Sequence, residues 1–109
     1  MTSHHEMTTP PALNGKQKKA LRRLAHHLDP VVHVGREGLS ESLIRSADQA
    51  LLARELIKVK LGQNCPLHKK EAARQIAERT GSALVQLIGK TIILYQPNPE
   101  LPDDKRIRL

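Results

Sequence analysis

Apolar and polar positions alternate along this chain with two different periods, and each change of period marks a change of element. Leu21, Leu24, Ala25 and Leu28 recur at i, i+3, i+4 and i+7, which predicts an amphipathic helix from an Asn14 cap to about Leu28. Asp29-Pro30 stops it, because the residue before a proline is pushed out of the α region. Val31-Val32-His33-Val34 follows as a short strand, since β-branched side chains suit a pleated surface and lose freedom in a helix. After Gly35-Arg36-Glu37-Gly38, Ser40 can cap a second helix over about Glu41 to Arg54, with Leu43, Ile44, Ala47, Ala50 and Leu51 on its buried side. Leu39 and Ile44 stand at the spacing of a hydrophobic staple across that cap.

The period then drops to two. Over Glu55 to Leu61, Ile57, Val59 and Leu61 point one way, and Lys58 and Lys60 point the other, to solvent or toward a ligand. A third helix is expected over about Lys69 to Thr80 on the stripe Ala73, Ile76, Ala77 and Thr80, with Gly81 as a left-handed cap. Two more strands, Ala83 to Ile88 and Thr91 to Gln96, flank a Gly89-Lys90 hairpin turn, and Pro97 ends the sheet.

These elements give an α/β fold of order α-β-α-β-α-β-β. The strand-helix-strand unit requires a parallel pair with a right-handed crossover and the hairpin an antiparallel one, so the four-stranded sheet is mixed. The 109 residues suffice for one compact domain. Residues 1–12 read as a disordered leader, 13–97 as the domain and 98–109 as an extended tail.

Charge changes the picture from fold to partner. The formal net charge is +7, the footprint of a partner with a negative surface. The first helix carries Lys16, Lys18, Lys19, Arg22 and Arg23, and no acid occurs between Glu6 and Asp29. A solvated helix face usually mixes signs, so a single-sign face points to an anionic ligand. No apolar run approaches the length of a membrane span and no signal-peptide pattern opens the chain, so a soluble, cytoplasmic protein without a membrane partner is expected. The one cysteine, Cys65, fits a reducing compartment. Tyr95 is the sole aromatic residue, which leaves no platform for stacking several bases. A nucleic acid would be met through phosphates, sugar hydroxyls and shape.

Gly35-Arg36-Glu37-Gly38 suits that chemistry. Residues without a Cβ let the main chain approach phosphate, and the next helix start offers N–H donors. The alternative is a tight strand-to-helix connection with left-handed glycines. Catalytic chemistry finds no support. Cys65 and His68 lack a second metal-binding pair, His26 and His27 are adjacent on a helix, His33 alternates with valines, and no nucleophile elbow or Walker sequence occurs. No catalytic residue, metal, cofactor or small-molecule substrate is therefore expected.

Four ordered blocks resemble a known family. They are the basic helix leading into Leu24-Ala25-His26 and Leu28-Asp29-Pro30-Val31-Val32, the loop from Gly35 to Glu41, the strand from Glu55 to Lys60, and the run from Gln86 to Tyr95. Together they resemble the CRM domain, the chloroplast RNA splicing and ribosome maturation domain, in its stand-alone bacterial YhbY-like form. The resemblance spans Leu13 to Pro97 and implies a fold similar to the C-terminal domain of translation initiation factor three. It also implies RNA binding through Gly35, Arg36, Gly38 and the basic residues of the first helix, and association with large-subunit ribosomal precursors. Glu37 inside the loop and Gln96 after the hairpin depart from the family's more basic pattern. KH domains share the two glycines, but there the loop joins two helices. The expected function is thus a non-catalytic RNA-binding module acting on structured ribosomal RNA. The rival is an adaptor whose basic face meets an acidic protein.

Overall fold

The structure, a computed structural model, describes residues 9–109. The expected leader is therefore outside the described residues over 1–8. The helices are α1 (Gly15–Ala25), α2 (Glu41–Arg54) and α3 (Lys69–Thr80); the strands are β1 (Val32–Val34), β2 (Leu56–Leu61), β3 (Ala83–Ile88) and β4 (Thr91–Tyr95). The order is the one the periodicity predicts. In the sheet the strands lie β1-β2-β4-β3, with β1 parallel to β2 and the other neighbours antiparallel.

Helix starts follow from local side chains. Asn14 and Gln17 form a reciprocal capping box on α1, and Ser40 Oγ accepts from Leu43 N at 3.1 Å on α2. The α3 cap is a histidine: His68 Nδ1 accepts from Lys70 N at 3.2 Å. Gly81 closes α3 in the left-handed conformation, at φ 67°.

The two sheet faces are covered unequally. On one, α2 and α3 bury Ile44, Ala47, Leu51, Ala73 and Ile76 against Ile57, Val59, Leu61, Ile92 and Leu94, which forms the main core. On the other, α1 brings Leu21 and Ala25 onto Leu56, Val85, Ile93 and Tyr95. That second cluster covers only the end of the sheet where β2 begins. Leu56 is therefore buried although it sits on the face opposite Ile57.

Four local expectations are corrected. Helix α1 ends at Ala25, and Leu28 N instead donates to Ala25 O in a turn. Leu24 does not join the buried stripe; it is 46% exposed, because α1 meets the sheet along Leu21 and Ala25. Val31 lies outside the strand and is exposed. Glu55 does not begin β2 but caps α2 at φ 66°, with its side chain wholly buried. Its carboxylate accepts from Asn98 N and Ile107 N, each at 2.6 Å, and faces Arg106 Nε at 3.4 Å. Those bonds pin the 98–109 segment against the domain, where Ile107 packs beside the α1 cluster and Asp103–Lys105 forms a 3-10 turn.

Candidate nucleic-acid interface

The Gly35–Gly38 loop leaves the sheet at the end where β1 and β2 both finish, and Gly62 N donates to Val34 O at 2.8 Å there. Gly38 N donates to Gly35 O at 3.0 Å, which closes a four-residue turn with Arg36 and Glu37 exposed at its tip. The two glycines do different jobs. Gly38 is buried, at φ 66°, and a Cβ there would touch Pro66 Cγ at 3.4 Å. Gly35 is exposed, is absent from the positive-φ residues, and would carry a Cβ with nothing within 4 Å. Gly38 is thus required by the turn, whereas nothing in the protein itself requires a glycine at position 35. The far side of the loop is held by Arg79 Nη1, which donates to Leu39 O at 2.7 Å.

On α1 the basic residues divide. Lys16, Lys19 and Arg23 are exposed, while Lys18 and Arg22 are half-buried. Lys18 leans to the side of α3 and β3, into a groove that also holds Arg74 and Glu78. Lys19, Arg22 and Arg23 form the wall of another groove, of about 470 Å³, whose floor is the uncovered sheet face at Lys58, Gln86 and Ile88. His26 and His27 lie at its rim, with their rings edge to face at 5.4 Å. No acidic side chain lines this groove among the described residues.

Arg74, by contrast, is already committed. It pairs with Glu71 and with Glu78 on its own helix, and the Glu71 carboxyl is held below the ordinary carboxylate value chiefly by the Arg74 hydrogen bond, with help from Gln75. Of the expected residues, the structure thus brings Lys19, Arg22 and Arg23 together in one groove, and sets Lys16 earlier on the same helix and Lys18 apart. Gly35, Arg36, Glu37 and Gly38 form a separate loop at the open end of the sheet. Lys58 was legible only as facing away from the core; its place in the groove depends on α1 crossing that face.

The CRS1 / YhbY (CRM) domain model matches residues 13–96. The chain belongs to the CRM family. It is 45% identical over 97 residues to Bacillus subtilis YqeI, named as a probable RNA-binding protein, which covers 89% of this chain and 98% of the relative. A Haemophilus influenzae protein named RNA-binding protein is 43% identical over 94 residues, or 86% of this CRM chain and 92% of the relative. A hypothetical protein from Staphylococcus aureus, known from its solution structure, matches with a TM-score of 0.71 and 44% identity, over 84% of the CRM chain and 96% of that protein. Helix, loop and groove all lie within the matched span.

Proposed function

We propose that this CRM domain binds structured ribosomal RNA on precursors of the large ribosomal subunit in the cytoplasm, and assists assembly without catalysing a reaction. The observation that carries the reading is the acid-free groove wall of Lys19, Arg22 and Arg23 on a chain of net charge +7. Lys16, Lys19 and Arg23 succeed one another at one-turn spacing, so they can follow a single phosphate backbone, and Arg36 adds a cation at the loop tip. Contact is mainly with phosphate and sugar, because the chain has no Phe or Trp and its single Tyr, Tyr95, is buried.

Counterion release supplies the test. Four phosphate contacts, at Lys16, Lys19, Arg23 and Arg36, contribute about −3 to −4 to the slope of log affinity against log salt. Replacing Lys16 and Lys19 with Ala should flatten it by about 1.4 to 1.8 and weaken all RNA sequences alike. Binding to large-subunit precursors should be lost after ribonuclease. Association that survives ribonuclease would overturn the reading and assign the basic face to an acidic protein.

A further inference from the structure

The loop and the α1 groove stand at different places on the molecule, and the surface between them has a composition of its own. The strand register aligns it. His33 on β1 is opposite Lys60 on β2, and Lys58, two residues back along β2, is opposite Ile93 on β4. Val32, Val34, Ile57, Val59 and Leu61 point into the main core. The strand alternation therefore sends His33, Lys58 and Lys60 to the other face. That face is open beyond the Lys58–Ile93 pair, because α1 covers the part around Leu56, Val85, Ile93 and Tyr95. His33 and Lys60 are exposed, and Lys58 is half-buried where it enters the groove beside Arg22 and Arg23. Gly35 lies two residues beyond His33. Successive steps along this row are about 5 to 7 Å, the spacing of neighbouring strands and of alternate residues in one strand.

We propose that Lys60 and Lys58, flanked by the His33 imidazole as a hydrogen-bond donor, form a track across the open half of the sheet, which joins the Gly35–Gly38 loop to the α1 groove as one continuous RNA-backbone site. This inference rests on the RNA-binding reading above. Two lysines on the non-core face of one strand would normally be balanced by acids on the neighbouring strands. Here the neighbours on that face are His33, Thr91, Ile93, Gln86 and Ile88, none of them acidic. An anionic polymer is the occupant that charge complementarity selects. The track holds no Phe, Tyr or Trp as a stacking platform, so its lysines follow phosphates.

The experiment uses the full chain and an RNA hairpin with single-stranded arms. Lys58→Gln combined with Lys60→Gln should flatten the salt slope by about 1.4 to 1.8, the loss of two phosphate contacts. Arg45→Gln combined with Arg54→Gln, on α2 behind the sheet, removes the same charge and should leave the slope unchanged. A Lys58/Lys60 variant with the parent's slope would overturn the track. Equal flattening in the α2 control would also overturn it, since the effect would then belong to net charge. If the double variant melts early, Lys60→Gln alone at the exposed position carries the test, with an expected change of about 0.7 to 0.9. A parent chain that fails to bind the hairpin would refute the functional reading itself, a result distinct from retained binding with an unaltered slope.

Discussion

Exchanging each loop glycine for alanine should move stability and RNA affinity in different combinations. At position 38 the backbone is left-handed, at φ 66°, where a side chain costs about 1 to 2 kcal/mol. The new methyl would also meet Pro66 at 3.4 Å. For a domain of this size each kcal/mol lowers the melting temperature by about 4 to 8 °C. At position 35 the methyl meets nothing and φ is ordinary, so alanine should stabilise by about 0.4 to 1 kcal/mol through a less disordered unfolded chain. That same methyl would stand between the main chain and a phosphate. Losing one charge-assisted hydrogen bond there costs about 1.5 to 3 kcal/mol, which is tenfold or more in affinity at about 1.4 kcal/mol per decade. Melting curves and anisotropy titrations of labelled RNA, taken well below either melting temperature, separate the two effects. The decisive variant is Gly35→Ala, which should be more stable and bind more weakly. If it binds RNA as the parent does, the loop is a connector and the backbone-approach argument is wrong.

Two further outcomes concern the buried carboxylate and its neighbour. Glu55→Ala strips an acceptor from Asn98 N and Ile107 N and should destabilise the fold by about 3 kcal/mol in chemical denaturation, two hydrogen bonds to a charged group being lost; a cost below about 1 kcal/mol would show that water replaces both bonds. The Tyr95 phenol is pushed above its ordinary value, first by burial and then by the negative Glu55, against a smaller opposing pull from Arg106. The fold therefore favours the neutral phenol, while the unfolded chain releases its proton near pH 10, so stability from this group should fall as pH rises past about 10. Tyr95→Phe should remove that part of the alkaline loss, and a phenolate absorbance midpoint at or below the ordinary value would refute it.

Periodicity was sufficient for α2 and α3 because each buries one clear stripe, Ile44-Ala47-Leu51 and Ala73-Ile76-Ala77, against a single sheet face. It was insufficient where two layers compete. Leu24 shares the spacing of Leu21 and Ala25, yet α1 is short and touches the sheet along a narrow line, so the stripe is one residue too wide. Glu55 reads as the polar first residue of an alternating strand; its burial depends on donors from Asn98 and Ile107, which no local pattern announces. His68 serves as a helix cap, a role its sequence position does not announce. In the candidate site, Gly35 and Gly38 are identical letters whose different roles emerge only from φ and from Pro66. Lys18 and Lys19 are neighbours in sequence, but a 100° step around the helix sends them to different grooves.

The strand order carries a consequence for how the chain comes together during synthesis. β2 is central, with β1 on one side and β4 on the other. β1 and α2 precede β2, so the parallel unit can assemble early, but its other edge waits for β4, beyond α3 and β3. A nascent chain that has emerged only to Leu61 holds Val59 and its neighbours with a raw hydrogen-bonding edge and half a lid, since the α3 residues Ala72, Ala73 and Ile76 have not yet emerged. The hairpin of β3 and β4 is local and closes quickly once translated. Its docking onto β2 is the step that completes the sheet, and until then the β2 edge that receives β4 stands unpaired.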